Sequence, residues 1–205
     1  MSRLTGPRVK IMRALGVDLP GLSRNTIETR PTPPGQHGMK ATRRRKSDYG
    51  VKLQEKQKLR FNYGLTERQM RKLIIEARKG KEPTGDQFLQ LLERRLDNVI
   101  FRAGFAPTVI AARQLVSHRH VTLNGKSVNI PSIRVKLDDE IALKVTSLKI
   151  AMVVETLARP VLDRPEWLHW DDAEKIVKIA HLPDADQVPF PIDVQQVVEY
   201  YSNRI

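Results

Sequence analysis

A two-residue turn is the feature that most constrains the fold of this 205-residue chain. Asn124 and Gly125 follow a short stretch in which the apolar side chains of Val121 and Leu123 alternate with polar ones. Asn-Gly is the strongest short signal for a β-hairpin, because both residues readily adopt the positive φ angles of a type I′ turn. The sequence therefore predicts a tight hairpin here, followed by a further alternating strand at 141–145.

Two short amphipathic helices are predicted directly before the hairpin. The first spans about 92–103 and ends at Gly104, where its apolar pattern stops. The second begins after Thr108, a residue type that commonly caps helices. Two helices followed by a hairpin and another strand predict an α+β module, with the helices packed on a small, mainly antiparallel sheet.

The polar residues of this module form a candidate RNA-binding surface. On a helix, Arg95, Asn98 and Arg102 share one flank, opposite the apolar side. Guanidinium forks bind phosphates in bidentate fashion, and amides reach base edges or ribose hydroxyls. For any single arginine, a solvated helix face is the alternative. The candidates in the module are Arg95, Asn98, Arg102, Arg113, Gln114, His118, Asn124, Gly125 and Lys126.

The flanking regions are predicted to be mostly helical. Ser47 is expected to cap a basic helix that ends before Gly64, and Thr66 with Gln69 has the spacing of a capping box. The helix that carries the 92–103 stretch is expected to begin at Thr84 and to run unbroken to Gly104, and another helix is expected over residues 148–158. Residues 159–193 are predicted to be irregular because they are rich in proline and acids, and a short helix is expected to follow near the C-terminus.

Charge is distributed unevenly along the chain. Of the net +13, residues 1–60 carry +11 and residues 93–150 carry +5, whereas residues 151–205 carry −5. A basic front half is typical of a protein that binds a polyanion, and the acidic tail is expected to face elsewhere. The candidate contacts in the front half are Arg43, Arg44, Arg45, Lys46, Lys52, Lys56 and Lys58.

Residues 1–46 are predicted to form an extension that orders on RNA and contributes little to the core. Proline and glycine are frequent there, and the run from Arg43 to Lys46 repels itself unless phosphate lies nearby. Ordinary disorder is the alternative interpretation.

Several classes of function have no support in the sequence. Cysteine is absent, which excludes disulfides and cysteine-ligated zinc, and no apolar run approaches the length of a membrane helix. His118 and His120 could share a face, but no further ligand stands at suitable spacing, so no metal or other cofactor is expected. Asp138, Asp139 and Glu140 are interpreted as an exposed turn entering a strand. No phosphate-binding glycine loop or nucleophile elbow suggests an enzyme.

Four stretches resemble one family, that of small-subunit ribosomal protein S-four, in its bacterial or plastid type. Residues 95–141 are similar to its RNA-binding module and SDYGVKLQEKQKLRFNYGLTERQ (Ser47 to Gln69) to its helical domain. PPGQHG (Pro33 to Gly38) resembles its N-terminal extension and VVEYYSNR (Val197 to Arg204) its C-terminus. The resemblance covers nearly the whole chain and implies a helical domain with an inserted RNA-binding module.

Three departures from the family pattern qualify the resemblance. Val9 and Met12 stand where many members carry the first pair of zinc-ligating cysteines, so the zinc-free form is implied, and His37 alone cannot replace that site. Val109 and Ile110 replace arginine just after the cap of the second module helix, which puts RNA contact there in doubt. Asp138 replaces a glycine and is expected to change only the turn.

The resemblance also implies function and partners. It implies a structural constituent of the small ribosomal subunit that binds 16S ribosomal RNA, nucleates assembly of the subunit body and affects translational accuracy with protein S-five. Other small-subunit proteins and messenger RNA on its way into the subunit are further implied partners. A free RNA-binding regulator that carries such a module is the alternative, and an RNA-modifying enzyme is a distant third.

Four segments and a cellular location complete these expectations. Residues 1–46 are expected to form the basic extension, 47–92 the first part of the helical domain and 93–158 the RNA-binding module. Residues 159–205 are expected to pack back on the helical domain. The expected location is the ribosome in the cytoplasm, or in the plastid stroma if the chain is organellar, with no membrane partner.

Overall fold

The computed structural model describes residues 6–36, 38 and 46–202 and divides the chain into two units. The helical unit runs to Phe88 and resumes at Val188, whereas the mixed unit is Leu89–Gln187. The mixed unit therefore extends well past residue 158, where the sequence placed the end of the module.

In chain order, the described helices are α1 (Arg8–Leu15), α2 (Asp48–Asn62), α3 (Glu67–Ala77), α4 (Thr84–Glu93), α5 (Leu96–Arg102), α6 (Val109–Ser117), α7 (Ala151–Ala158) and α8 (Val194–Ser202). The described strands are β1 (Val121–Leu123), β2 (Lys126–Val128), β3 (Glu140–Leu143), β4 (Leu168–Asp171) and β5 (Ile176–Ile179). None of the helices among these residues is long and apolar enough to cross a membrane.

Local capping fixes where the helices of the helical unit begin. The Ser47 hydroxyl accepts a hydrogen bond from the Gly50 N–H (3.2 Å) at the start of α2. At α3, the Gln69 N–H donates to Thr66 Oγ1 (3.4 Å) while the Thr66 N–H donates to Gln69 Oε1 (3.0 Å). This reciprocal pair is a capping box, so both predicted helix starts are confirmed.

The N-terminal segment contributes to the core of the helical unit, which contradicts the expectation that it would not. Met12, Leu15, Leu19 and Leu22 are all buried. The Gly21 N–H donates to Asn62 Oδ1 at the end of α2 (2.9 Å), which ties the segment to that helix. The buried apolar residues recur every three or four positions, a pattern that the surrounding glycines and prolines obscure in the sequence.

The mixed unit is built on a five-stranded sheet of order β2-β1-β3-β5-β4, in which every pair is antiparallel. Val121 pairs with Val128 and Leu123 with Lys126, which leaves Asn124 and Gly125 as the two turn residues. Their φ angles are 49° and 75°, as a type I′ turn requires. The predicted hairpin and the α+β class are thereby confirmed.

Residues 159–193 were expected to be irregular, and this prediction is wrong for β4 and β5. In β4, Leu168 is buried and His169 exposed; in β5, Val177 and Ile179 are buried and Lys178 is exposed. This alternation is the pattern of strands with one face on a core. Acids and prolines on both sides hid it in the sequence.

The helix expected to run unbroken to Gly104 is interrupted. Arg95 has an extended backbone (φ −71°, ψ 134°) and forms an isolated antiparallel bridge with Arg134. Just beyond it, the Leu96 N–H donates to the Ile133 carbonyl (2.8 Å). Because this pairing replaces helical hydrogen bonds, α4 ends at Glu93 and α5 begins at Leu96.

Replacing Leu19 by alanine tests the revised role of the N-terminal segment. Leu19 is fully buried, so Leu19→Ala should lower the free energy of unfolding by about 2–5 kcal/mol. The exposed Thr26 offers a matched control, since Thr26→Ala should change it by less than about 0.5 kcal/mol. Urea denaturation measures both free energies. If Leu19→Ala is as stable as Thr26→Ala, the N-terminal segment does not contribute to the core.

Candidate nucleic-acid interface

The basic run that precedes α2 is described only in part. Arg43, Arg44 and Arg45 lie outside the described residues. Lys46 is exposed and its ammonium group donates to the side chain of Gln54. The prediction that this run contacts RNA therefore stays a prediction.

The three lysines of α2 that were RNA candidates each have an acidic partner inside the helical unit. Lys52 lies 2.9 Å from Asp48 and 3.1 Å from Glu199, and these hydrogen bonds, the one to Asp48 first, raise the pKa of Lys52. The other two pairs are Lys56 with Glu67 (2.8 Å) and Lys58 with Glu55 (2.6 Å). Lys56 and Lys58 are also buried; the Lys56 pair joins α2 to α3, whereas the Lys58 pair lies within α2.

A basic cleft of about 630 Å³ lies beside these helices. Its lining consists of Lys56, Arg60, Glu67, Arg71, Tyr200 and Tyr201. Three cations surround one carboxylate there, and the Lys56 ammonium lies 5.0 Å from the centre of the Tyr200 ring. The cleft therefore has a net positive charge.

Glu67 organises the cleft by accepting two hydrogen bonds. Lys56 donates to Oε2 (2.8 Å) and the Tyr201 hydroxyl to Oε1 (2.7 Å). Partial burial by itself raises the pKa of Glu67, but the hydrogen bonds from Lys56 and Tyr201 outweigh it, and the net pKa is lowered. Burial, followed by the bond to Glu67, raises the pKa of Tyr201 well above its ordinary range.

In the mixed unit, a buried carboxylate binds two of the predicted RNA-contacting arginines. Asp97 has no exposed surface. It accepts hydrogen bonds from Arg95 Nε (3.1 Å) and Nη2 (2.8 Å), and from Arg113 Nη1 (2.9 Å). Arg95 is itself only 4% exposed, whereas the Arg113 side chain retains 24% exposure.

A second buried carboxylate, that of Glu93, binds the other two polar candidates of the first module helix. The Asn98 amide donates to Glu93 Oε2 (2.8 Å), and Arg102 Nε lies 3.5 Å from the same oxygen. Arg102 also donates to the Gln187 carbonyl (2.7 Å). The expectation that Arg95, Asn98 and Arg102 share a solvent-facing flank is therefore wrong, because two acids in the same turns draw them into the interior.

Helix α6 presents a mixed polar face. Gln114 and His118 are exposed, as predicted for residues that can reach RNA. Val109 is buried in the core and Ile110 is half-buried, which accounts for apolar residues at the start of this helix. His120 Nδ1 lies 2.9 Å from Ser147 Oγ, so that histidine has a structural partner.

The hairpin turn is fixed by its own side chains. Asn124 Oδ1 accepts from the Glu140 N–H (2.8 Å), and its amide donates to Asp139 Oδ1 (2.8 Å). Asp138 is exposed with a φ of 62°, which agrees with a turn before β3 and with a position where the family has glycine. Lys126 is exposed at the first position of β2, where it can reach a phosphate.

The sequence interpretation missed the charge pattern of the segment that contains α6 and the hairpin. From Asn98 to Leu137 there is no Asp or Glu, whereas six residues are Lys or Arg. One of these, Arg119, is exposed between α6 and β1 and was not singled out as a candidate. The absence of acids over this stretch is the signal that could have identified it.

Taken together, the fold and these side chains define an α+β protein with an RNA-binding module, in which exposed cations and amides surround a helix and a tight hairpin. Residues 3–93 match the profile described as the ribosomal protein S4/S9 N-terminal domain, and residues 94–141 match the S4 domain.

Relatives similar over the full length support the same assignment. The chain is 73% identical over 205 residues to the small ribosomal subunit protein uS4 of Methylobacillus flagellatus, with both chains fully covered. It is equally similar to uS4B of Nitrosomonas europaea, and 48% identical to uS4 of Akkermansia muciniphila with 98% of this chain and all of that one covered. The chain belongs to the uS4 family of small-subunit ribosomal proteins, which is not a family of enzymes.

Acidification should separate the contribution of Glu67 from that of other acids. Because its folded-state pKa lies below the ordinary value of 4.5, Glu67 stabilises the fold above that pH and loses this effect as pH falls through the folded-state pKa. Wild type should therefore exceed Glu67→Gln in melting temperature at neutral pH, and the gap should close in acid. Glu82→Gln, at an exposed position, should show little gap at either pH; a Glu67→Gln gap that persists in acid contradicts this role.

Removing Arg95 should affect folding rather than RNA affinity alone. Arg95→Ala removes one of the two arginines that bind the buried carboxylate of Asp97. The expected loss of stability is about 3–5 kcal/mol. Lys126→Ala, at an exposed position, should change stability by less than about 0.5 kcal/mol. Chemical denaturation of the two variants checks this, and equal midpoints would mean that Arg95 is not a structural residue.

Proposed function

We propose that this chain is a structural constituent of the small ribosomal subunit that binds 16S ribosomal RNA and nucleates assembly of the subunit body. The observation that carries the proposal is 73% identity, over the whole of both chains, to a protein named small ribosomal subunit protein uS4. The concentration of +11 net charge in residues 1–60 supports a polyanionic partner independently of that name.

We assign the predicted RNA contacts to two groups according to their burial, and we infer a different role for each group. Lys46, Gln114, His118 and Lys126 are exposed and able to meet RNA directly. Arg95, Asn98 and Arg102 are buried and instead fix the backbone that carries the exposed group. Arg113 belongs to both groups, because it is bound to Asp97 and still partly exposed.

Protein and messenger RNA partners form the finer part of the proposal. We infer contact with protein S-five, through which the family affects translational accuracy, and proximity to incoming messenger RNA. The charge of −5 on residues 151–205 supports a protein partner for that part of the chain, since acidic surface repels RNA.

We also infer a bacterial cytoplasmic ribosome rather than a plastid one. Relatives from Methylobacillus flagellatus and Nitrosomonas europaea are 73% identical, whereas uS4 from a Synechococcus strain is 46% identical. A free RNA-binding regulator is not favoured, because the similarity extends over the whole chain rather than the module alone. Sedimentation through a sucrose gradient tests this point: stoichiometric presence in small subunits supports the proposal, and presence only in light fractions contradicts it.

Salt dependence tests the electrostatic basis of RNA binding. The logarithm of affinity for a 16S ribosomal RNA fragment should fall linearly with log salt, by about 0.7 to 0.9 for each phosphate neutralised. Lys126→Ala should reduce that slope by about one such increment. Lys178→Ala is the control, because Lys178 is paired with Asp138 (3.3 Å) and should leave the slope unchanged. If the affinity of the wild type does not change with salt concentration, RNA binding does not rest on electrostatic attraction.

A further inference from the structure

Four non-glycine residues among those described have positive φ angles. They are Arg119 (62°), Asn124 (49°), Asp138 (62°) and Lys175 (56°). In this left-handed region the Cβ atom crowds the following carbonyl, so L-residues rarely adopt it and glycine usually occupies it. Each of the four positions therefore needs an explanation.

For three of them, residue type or side-chain contacts supply that explanation. Asparagine and aspartate tolerate the left-handed region better than other residues, and the Asn124 side chain also makes two hydrogen bonds across the turn. Lys175 Nζ lies 2.6 Å from Asp172 and 5.8 Å from the centre of the Trp170 ring. These contacts within the fold offset the strain.

Arg119 has no such compensation within the described part of the chain. It directly follows His118, the C-terminal cap of α6, at a position where glycine is the commonest residue. Its N–H donates to the Val116 carbonyl (2.9 Å), and its own carbonyl accepts from the Ser127 hydroxyl (3.4 Å). Both are backbone contacts that glycine would make equally well. The exposed guanidinium forms no ion pair with any described residue.

The surroundings of Arg119 favour an anion. It lies in the stretch from Asn98 to Leu137 that contains no acidic residue. The bond from Ser127 places it beside β2, whose first residue is the exposed Lys126. The exposed guanidinium therefore lies beside a strand that carries a second exposed cation.

We propose that Arg119 binds a backbone phosphate of ribosomal RNA, and that an arginine is kept at this strained position for that contact. The planar fork of the guanidinium suits two phosphate oxygens, and Lys126 supplies a second positive charge from the hairpin. The inference rests on the proposed function and adds to it a residue that belongs neither to a regular helix nor to a strand.

Replacing Arg119 by glycine gives opposite expectations for stability and binding. Arg119→Gly relieves the strain, so the melting temperature should stay the same or rise. Its affinity for a 16S ribosomal RNA fragment should fall roughly 10- to 100-fold, the effect of losing a charge-assisted hydrogen bond. The salt slope should decrease by about 0.7 to 0.9.

Three further variants make the result decisive. Arg119→Lys keeps the charge and should retain most of the affinity, whereas Arg119→Gln keeps the strain without the charge and should bind as weakly as the glycine variant. Lys175→Gly removes a cation from the same kind of backbone position on the β4–β5 turn and should leave affinity within about 2-fold of wild type. If Arg119→Gly melts lower than wild type, Arg119→Gln becomes the deciding variant.

Each outcome bears on a different claim. If wild type binds the fragment with the expected salt dependence and Arg119→Gln binds as tightly, Arg119 makes no phosphate contact, and the proposed function stands without it. If wild type itself shows no salt-dependent affinity, the proposed function fails, and the role of Arg119 fails with it.

Discussion

The buried carboxylate of Asp97 is the interaction on which the architecture of the mixed unit depends. It binds Arg95, which lies at the break between α4 and α5, and Arg113, which lies on α6. A carboxylate without exposed surface is very unfavourable unless its partners are in place, so it fixes both arginines at once. Because Arg113 lies on α6, its bond to Asp97 fixes the position of α6 relative to the break. The positions of Gln114, His118 and Arg119 depend on that of α6.

This arrangement separates the cations of the chain by role rather than by residue type. Lys56, Lys58 and Arg95 are buried with acids 2.6 to 2.8 Å away, and their charge is neutralised within the protein. Exposed cations such as Lys126 keep their charge available for phosphate. Because each of these buried pairs contributes no net charge, the +13 of the chain comes from cations outside them, and we propose that RNA contacts the exposed ones.

The parts of the fold that could be predicted from sequence are those determined by neighbouring residues. The turn at Asn124 and the capping box at Thr66 depend on three or four consecutive positions, so their patterns are visible in the chain itself. The burial of Arg95 depends instead on Pro131 to Val135, whose backbone pairs with residues 94–97 and breaks the helix some forty residues earlier in sequence. Spacing alone gives the same polar flank for a solvated arginine and for one paired with an internal acid. The presence of Glu93 and Asp97 in the same turns is the sequence feature that could have indicated internal pairing.

The order of strands gives the sheet of the mixed unit opposite charges at its two edges. Lys126 lies on β2 at one edge, whereas β4 at the other edge ends at Asp171 and leads into a turn that contains Asp172 and Glu174. Four strand spacings separate these edges by roughly 19 Å. That is about twice the distance over which physiological salt screens a charge, so the acidic edge does little to weaken the attraction of RNA to the basic one. Strands β4 and β5, hidden in the sequence among prolines and acids, thus extend the core and place the acids of their own turn at the edge of the sheet farthest from Lys126.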